Sequence, residues 1–234
     1  MIHKQPLISV IMSVYNGEAT ISRAINSITS QTYQNLEFLI VDDFSTDSSL
    51  KVLKEFEDKD KRIKVYQNKK NIGLTKSLNF LIGKSKGEFI ARQDADDVSY
   101  DKRLSKQFEI ISEKNFDAVS SRANRKDRKK KIPNLSFYMP KKIIIKLKNP
   151  FIHGTLLIRK KVLLNLGCYD ERFYFAQDYK LMKDFLDSKY KIGLIKEPLY
   201  LLNEENNISK IHRDEQRYYA ECVKKNKDPQ LIKK

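Results

Sequence analysis

Apolar runs typical of β-strands alternate with helical stripes along the first half of the chain, and this rhythm restricts the possible folds more than any other feature. Leu7 to Val14 is an almost continuous apolar run, as in a strand buried on both faces. Three further strand-like runs follow at residues 36–41, 62–66 and 88–91. The alternation predicts βαβ units with right-handed crossovers, and hence an α/β fold around a largely parallel sheet.

The helices predicted between these strands each present one apolar face, with apolar residues three or four positions apart. These faces consist of Ile21, Ile25 and Ile28 between Glu18 and Gln31; Leu50, Leu53 and Phe56; and Leu74, Leu78 and Leu81. Ser45 and Asp47 are suitable N-caps for the second helix. After the fourth strand, Leu104, Phe108 and Ile111 predict a further helix.

Positive charge is concentrated in one stretch, residues 122–148, which we call the basic segment. The chain has 46 Lys and Arg against 30 Asp and Glu, and the basic segment contains eleven of these basic residues and a single acid, Asp127. It is compatible with a solvated loop, or with contact to anionic lipid headgroups or a phosphorylated substrate. Nucleic acid is not expected as a partner, because aromatic residues are not interleaved with the basic ones and no nucleic-acid-binding motif surrounds them.

The second half of the chain has a weaker pattern of secondary structure. The basic segment interrupts the alternation up to about Pro150, and a strand is predicted at residues 155–158. A helix is predicted from Asp178 to Leu186, followed by a last short strand at 191–195. The polar tail from Asn203 onward is compatible with a helix.

Length and composition exclude several classes of protein. With 234 residues, of which 40% are hydrophobic, the chain can bury a core and is not disordered as a whole. No apolar run approaches the ~20 residues needed to span a bilayer, and the first residues do not resemble a signal peptide. Cys168 and Cys222 make neither a disulfide framework nor a zinc motif. We therefore expect a soluble, cytoplasmic protein.

Polar residues follow three of the four predicted strands of the first half. They are the stretches 13–17, 42–45 and 92–97. Ligands of open parallel sheets bind outside the carboxyl ends of the strands, so these residues are candidates for a binding site. The carboxylates of Asp94 and Asp96, with Asp97 next to them, repel one another unless a cation lies between them. One or two carboxylates and a substrate diphosphate are the usual ligands of Mg²⁺ or Mn²⁺; the alternative is an acidic run that caps the following helix.

Short motifs along the chain resemble, in order and spacing, those of the family 2 glycosyltransferases. The resemblance covers roughly residues 6–210 and depends on the ordered series, because each motif alone is common. The motifs are Ser9 to Gly17 (SVIMSVYNG), Ser30 to Tyr33 (SQTY), Val41 to Asp47 (VDDFSTD), Asn71 to Leu74 (NIGL), Gly87 to Asp97 (GEFIARQDADD), His153 to Thr155 (HGT), Gly167 to Glu171 (GCYDE) and Ala176 to Leu181 (AQDYKL).

This resemblance implies a GT-A fold, an α/β architecture with a mostly parallel central sheet flanked by helices and a smaller acceptor-binding half. Residues 1–115 are then the nucleotide-sugar-binding half, which ends in the Asp-x-Asp region. Residues 116–234 are the acceptor-binding half, with the basic segment and the polar C-terminal tail. Such enzymes transfer a sugar with inversion, and a divalent cation assists the departure of the nucleoside diphosphate.

The resemblance also implies roles for particular residues. These are nucleotide binding for Ser13, Tyr15, Asp43 and Asp94, metal binding for Asp96, and general base for Asp178. Further candidates are Asn16, Asn71, Asp97, His153 and Glu204. Glu204 stands where many family members have the His of an Arg-x-His pair, so a metal contact there would come from a carboxylate. The chemistry agrees, because a cation offsets the charge of the leaving diphosphate and a carboxylate activates the acceptor hydroxyl.

The leading hypothesis is therefore an inverting transferase that moves a hexose from a UDP-sugar to a glycan acceptor in bacterial cell-surface polysaccharide synthesis, with Mn²⁺ or Mg²⁺ as cofactor. The expected acceptor is linked to polyprenyl diphosphate, and the basic segment suits an anionic membrane on the inner face of the plasma membrane. One alternative is an inactive nucleotide-sugar or membrane-surface binding module on the same fold. A nucleotidyltransferase is less compatible, since Tyr15 to Gly17 is not a Gly-rich phosphate loop.

Overall fold

Helices cover both faces of one mixed sheet in the computed structural model, which describes residues 5–125, 131–203 and 212–230. The strands within these ranges are β1 (Ile8–Val14), β2 (Leu36–Asp42), β3 (Ile63–Gln67), β4 (Phe89–Arg92), β5 (Val98–Ser99), β6 (Ala118–Arg125), β7 (Lys131–Ile132), β8 (Leu157–Arg159) and β9 (Ile192–Leu202). The helices are α1 (Ile21–Thr29), α2 (Ser49–Lys59), α3 (Leu74–Lys84), α4 (Arg103–Glu113), α5 (Lys141–Ile144), α6 (Lys160–Asn165), α7 (Gln177–Asp187) and α8 (Arg213–Lys224).

The first four strands form the parallel part of the sheet, in the order β3-β2-β1-β4. Val10 of β1 lies opposite Phe38 of β2 on one side and Ala91 of β4 on the other. The predicted alternation of strands and helices is confirmed here, with bounds that differ from the predicted ones by a few residues. This arrangement aligns the carboxyl ends of β1, β2 and β4 along one edge of the sheet.

The remaining strands continue the same sheet but mostly run antiparallel to their neighbours. Beyond β4 the order is β8-β6-β9-β5, and β7 pairs with β6. The pairs β4–β8, β8–β6, β9–β5 and β6–β7 are antiparallel, whereas β6–β9 is parallel. The prediction of a parallel sheet therefore holds for the first half, and the second half adds the antiparallel part.

Strand β6 differs from the sequence prediction because its residues are polar although they are buried, and β9 differs in its length. Strand β6 was not predicted at all, since Ser120, Ser121 and Arg122 do not make an apolar run, yet all three are buried. Strand β9 was predicted to end at residue 195 and instead extends to Leu202. It passes through Pro198, which lies opposite Arg122 where the pairing register shifts, and a bulge is where a strand tolerates proline.

Two apolar clusters lie on opposite faces of the sheet. Side chains of α1, α2 and α4 pack on one face, and side chains of α3, α6, α7 and α8 pack on the other. Alternate residues of β1 point to the two clusters, Ile11 to one and Val10 and Met12 to the other. Helix α7, whose first turn contains Asp178, is thus fixed by a buried face that includes Leu181 and Phe185.

The polar tail does form a helix, α8, which buries Tyr219 and Val223 against the same cluster as α7. Residues 126–130 of the basic segment and residues 204–211, among them Glu204, lie outside the described residues. Cys168 and Cys222 are both free thiols. Within the described ranges, no helix combines the length and the apolar content that a membrane crossing requires.

Candidate active site

The carboxyl ends of β1, β2 and β4 bring the three predicted polar stretches together. Val14 lies opposite Asp42, and the backbone N–H of Asp43 donates to the carbonyl of Val14 at 2.7 Å. On the other side of β1, the N–H of Gln93 donates to the carbonyl of Ile11 at 3.1 Å. The edge of the sheet therefore has Ser13 and Tyr15 at its centre, Asp43 on one side and the Asp94–Asp97 acids on the other.

The loop after β1 is tied to the loop after β2 through Asn16. Its side-chain oxygen accepts from the backbone N–H of Thr46 at 2.8 Å, and its own N–H donates to Ser45 Oγ at 3.0 Å. Glu18 continues the connection, because its carboxylate accepts from the N–H of Ser48 at 2.6 Å. Asn16, a candidate site residue, thus holds one wall of the site together.

Two half-exposed aromatic rings stand on this wall, Tyr15 after β1 and Phe44 after β2. Sequence reasoning selected Tyr15 and did not select Phe44. Phe44 has a φ of 66°, which is unusual for a bulky residue and costs conformational energy that the surrounding structure must offset. Exposed aromatic faces at this position are suited to stacking on a nucleobase.

Asp43 is buried, and its carboxylate organises the loop before α3. Oδ1 accepts from Asn68 Nδ2 at 2.8 Å and from the N–H of Ile72 at 2.9 Å, and Oδ2 accepts from the N–H of Gly73 at 2.8 Å. Asn71 lies on the same loop and is exposed. Asp43 therefore fixes the position of Asn71 relative to the strand ends, a link that residue spacing alone does not reveal.

Arg92, the last residue of β4, is almost fully buried and pairs with the first acid of the cluster. Its Nη2 donates to Asp94 Oδ1 at 2.6 Å, and its Nη1 donates to the carbonyls of Ile11, at 3.3 Å, and Gln93. A buried guanidinium needs such compensation, because an unpaired charge is costly away from water. Sequence reasoning missed Arg92; the signal was a cation at the end of an otherwise apolar strand, two residues before an acid.

Asp96 is the candidate metal ligand, and its surroundings disfavour an uncompensated charge. Burial, together with the neighbouring charge of Asp94, raises the pKa of Asp96 to about 6. In residues 5–125, 131–203 and 212–230, no group of three or more His, Cys, Asp or Glu side chains is arranged to hold a metal ion. Among the described residues, the carboxylates of Asp94 and Asp96 are therefore the candidates, and two such ligands fit Mg²⁺ or Mn²⁺, since these ions complete their shell with water and substrate phosphate oxygens.

Asp97 is the most buried of the three acids, and its carboxylate bonds to residues at the end of β9. It is buried, and Oδ1 accepts from the backbone N–H of Asn203 at 2.7 Å, while Tyr200 also hydrogen-bonds to it. Burial raises its pKa, and the charges of Asp94 and Asp96 add to the shift. Asp97 therefore connects the acidic loop to the end of β9.

The turn at residues 153–155 packs directly against the acidic loop. His153 Nε2 lies 2.7 Å from the hydroxyl of Tyr169, and burial lowers the pKa of His153 to about 3, so the imidazole is neutral. Tyr200, a fully buried residue of β9, accepts a hydrogen bond from the N–H of Asp94 at 3.0 Å. Gly154 lies between Asp94 and Tyr200, where a larger residue would not fit.

Asp178 lies in the first turn of α7, close to the acidic loop although the two are distant in sequence. Its Oδ2 accepts from Asn149 Nδ2 at 2.8 Å. Burial raises its pKa, hydrogen bonds from the backbone of Tyr179 and from Asn149 oppose that shift, and the charge of Asp94 raises the pKa again. A carboxylate with a raised pKa, held by one amide and near a second acidic group, is equipped to accept a proton.

The structure thus brings together nearly all of the candidates that sequence reasoning selected. Those within the described residues are Ser13, Tyr15, Asn16, Asp43, Asn71, Asp94, Asp96, Asp97, His153 and Asp178. Sequence reasoning missed Arg92, Asn149, Tyr169 and Tyr200, whose contacts join positions far apart in the chain. Glu204 lies outside the described residues.

Replacing Gly154 with Ala should destabilise the protein by about 1–3 kcal/mol, because the added methyl group overpacks a buried site. Its Cβ would lie 2.8 Å from Asp94 Oδ2 and closer still to the hydroxyl of Tyr200. The matched control is Gly83→Ala in the last turn of α3, where nothing lies within 4 Å of the new Cβ. That control should stabilise the helix by up to about 1 kcal/mol. Equal melting temperatures for Gly154→Ala and the wild type would contradict the packing described here.

Sequence comparison identifies relatives over most of the chain. Residues 9–181 match the family model described as glycosyl transferase family 2. The chain is 33% identical over 219 residues to EpsE of Bacillus subtilis, which covers 88% of this chain and 76% of EpsE. It is also 33% identical over 180 residues to the O-antigen biosynthesis glycosyltransferase WbnJ of Escherichia coli, covering 75% of this chain and 70% of WbnJ.

Solved structures that share the fold with a TM-score above 0.7 include the following two. One is Staphylococcus aureus TarS 1-349 in complex with UDP, with a TM-score of 0.74, 24% identity, and coverage of 95% of this chain and 67% of that one. The other is the mannosyltransferase PcManGT from Pyrobaculum calidifontis in complex with GDP-Man and Mn²⁺, with a TM-score of 0.76, 19% identity, and coverage of 97% and 67%. At these identities the likeness concerns the fold.

Proposed function

Because this chain belongs to glycosyl transferase family 2 and has the GT-A fold, we propose that it transfers a hexose from a UDP-sugar to a hydroxyl group of a glycan acceptor in bacterial cell-surface polysaccharide synthesis. The observation that supports this most is the proximity of Asp178 to the acidic loop, where the charge of Asp94 raises the pKa of Asp178. The proposed base thus lies near the edge that is proposed to bind the diphosphate. The O-antigen relative and the UDP-bound TarS structure agree with surface glycans and a uridine nucleotide.

In this proposal the donor binds across the ends of β1 and β2. Tyr15 stacks on the base, and Ser13 and Asp43 contact the nucleoside from the strand ends. The buried Asp43 has a further role, since its carboxylate holds the backbone of Ile72 and Gly73. Asn16 keeps the wall formed by residues 15–18 and 44–48 in place.

Asp96, with Asp94 beside it, would hold Mn²⁺ or Mg²⁺. When bound, the ion supplies positive charge to the leaving diphosphate. Arg92 orients Asp94 through the 2.6 Å ion pair and keeps its Oδ1 occupied, which leaves Asp96 as the better candidate for direct contact. The Mn²⁺-bound neighbour of the same fold is consistent with this assignment.

Asp178 is the proposed general base. It accepts the proton of the acceptor hydroxyl while that oxygen attacks the anomeric carbon on the side opposite the diphosphate, so the configuration inverts in a single displacement. Asn149 orients the carboxylate through its hydrogen bond to Oδ2. His153, neutral and paired with Tyr169, lies near the same acids and is a candidate for contact with the donor sugar.

The proposed acceptor is a glycan linked to polyprenyl diphosphate, and the proposed location is the inner face of the plasma membrane. Both follow from the basic segment, whose charge suits an anionic lipid or diphosphate group. A catalytically inactive nucleotide-sugar or membrane-surface binding module is the alternative. It would bind UDP without turnover.

The test is UDP release from a panel of UDP-sugars, with Mn²⁺, with Mg²⁺ and with EDTA. Slow hydrolysis of one donor, abolished by EDTA, would support the reaction class and name the sugar. UDP binding with no release, even when crude lipid-linked acceptor is added, would favour the inactive module. Absence of both binding and release would refute the nucleotide-sugar reading.

Replacing Asn149 with Ala should move the acidic limb of the kcat/KM profile to higher pH. The Asn149 amide favours the ionised form of Asp178, so its loss raises the pKa of a base that must be deprotonated to act. Activity should therefore fall more at low pH than at high pH. The measurement is kcat/KM for donor hydrolysis across pH for both proteins. A loss of equal size at every pH would contradict the assigned role of Asn149.

A further inference from the structure

Exposed apolar side chains are concentrated in residues 135–148, which we call the 135–148 surface. Leu135, Tyr138, Ile143 and Leu147 are between 56% and 79% exposed, and Met139 is 38% exposed. A cluster of this kind on a protein surface marks a site of contact with a membrane or another molecule, whereas single exposed apolar residues are common and carry no such meaning.

The 135–148 surface is folded against the protein, so its apolar side chains are held outward. Ile144 and Ile145 are buried on its inner side. The hydroxyl of Tyr179 donates to the carbonyl of Ile145 at 2.6 Å. Arg122 stacks over the ring of Phe137 with 5.4 Å between guanidinium carbon and ring centroid. The exposed residues are therefore the outer face of an ordered element.

The charged residues of this surface are all basic. Lys142, Lys146 and Lys148 are exposed beside the apolar side chains, Lys131 is exposed at the preceding β7, and no Asp or Glu occurs from residue 131 to residue 148. Lysines next to aliphatic and aromatic side chains are the composition of segments that lie in the interface of an anionic bilayer. The long lysine stems lie along apolar surface while their amino groups reach the lipid headgroups.

We propose that the 135–148 surface inserts its apolar side chains into the interface of an anionic lipid bilayer. This goes beyond electrostatic attraction of the basic segment, because it names the inserting side chains and fixes the orientation of the protein on the membrane. It rests on the proposed function only where the lipid-linked acceptor is concerned. Vesicle binding itself requires no turnover.

The position of this surface explains why insertion would serve the reaction. Asn149 follows Lys148 directly and donates to Asp178 Oδ2, and Tyr179, the residue after Asp178, holds Ile145. The membrane-facing element and the proposed base are thus joined by two hydrogen bonds at the start of α7. An acceptor whose lipid lies in the bilayer would meet Asp178 near the headgroup layer.

The test begins with flotation of the full chain on phosphatidylcholine vesicles with and without phosphatidylglycerol. We expect binding to the anionic vesicles only, and at least about ten-fold weaker binding for the combined Leu135→Ser, Ile143→Ser and Leu147→Ser variant. Leu164→Ser is the matched control, because Leu164 is 51% exposed on α6, outside the surface. Its binding should equal that of the wild type.

A second measurement separates insertion from adsorption. The chain contains no Trp, so Tyr138→Trp introduces a single reporter. Its emission should shift to shorter wavelength on anionic vesicles and be quenched by brominated lipid, whereas the Leu164→Trp reporter should not respond. Absence of binding, binding that is unchanged in the Ser variant, or a Tyr138→Trp reporter that stays in water would each overturn the proposal. UDP release without vesicles, measured on the same variants, tests the proposed function separately.

Discussion

Asp178→Asn lowers kcat for donor turnover by about 10²–10⁴-fold if Asp178 is the general base, the range that positioned proton transfer contributes. The amide cannot accept the proton of the attacking hydroxyl. It keeps the size of the side chain and can still bond to Asn149, so UDP affinity should be nearly unchanged. The measurement is UDP release from the active donor, together with calorimetric titration of UDP.

Asp187→Asn is the matched control for this change. Asp187 is in the last turn of the same helix, where it pairs with Lys183 at 2.6 Å and is 60% exposed. Its substitution removes a carboxylate at the end of α7 that is opposite to Asp178, and kcat should not change. If the kcat of Asp178→Asn equals that of the wild type, a group other than Asp178 accepts the proton. A loss of UDP binding in the same variant would instead assign Asp178 to the donor pocket.

Asp96→Asn should lower donor turnover to a similar extent, by about 10²–10⁴-fold, because charge compensation at a leaving diphosphate is worth several kcal/mol. Wild-type enzyme in EDTA should lose activity likewise and regain it with Mn²⁺ or Mg²⁺. The control is Asp101→Asn, since Asp101 is an exposed acid of the same loop region whose backbone carbonyl, rather than its carboxylate, bonds to Thr32. Full activity of Asp96→Asn, or of the wild type in EDTA, would contradict the metal assignment.

Asp96→Asn should not destabilise the folded protein. The direction in which the pKa of Asp96 is shifted predicts the direction of this change in stability. Burial raises this pKa from its ordinary value to about 6, so the folded state holds the proton more tightly than the unfolded state does. The stability contributed by the protonated carboxyl is present at low pH and is lost as pH rises through 6. An Asn side chain carries no charge at any pH. Asp96→Asn should therefore melt at a higher temperature than the wild type at pH 7.5 without metal, which separates lost chemistry from misfolding.

The parallel half of the fold could be predicted from the sequence because its strands are buried on both faces. Runs such as Leu7 to Val14 are nearly free of polar residues, and helical stripes separate them. Strand β6 could not be recognised in this way. The buried hydroxyl of its Ser120 is satisfied by Thr155, whose Oγ1 lies 2.7 Å from Ser120 Oγ, and only the fold brings that partner near.

The residues of the candidate site likewise fall into two groups, those that could be predicted from the sequence and those that could not. Asp43, Asp96 and Asp178 could be selected because each lies in a motif that is readable along the chain. Asn149 and Tyr200 could not, since neither lies in a motif and each acts through a contact with a distant acid. Residues that hold a functional carboxylate in place are recognised by their contacts in the folded protein, and these contacts leave no motif in the sequence.

The pairing of β4 with β8 has a consequence for where the chain tolerates change. The two predicted halves, divided at residue 115, share one sheet through this antiparallel pair, in which Ile90 lies opposite Ile158, and through the pair β5–β9. Recombination near residue 115 would separate partners selected together and leave a hydrophobic strand edge open to aggregation. Substitutions in residues 131–150, which join the sheet through the two-residue β7, leave these pairs intact. The peripheral stretch can therefore change while the pairing between the two predicted halves is kept.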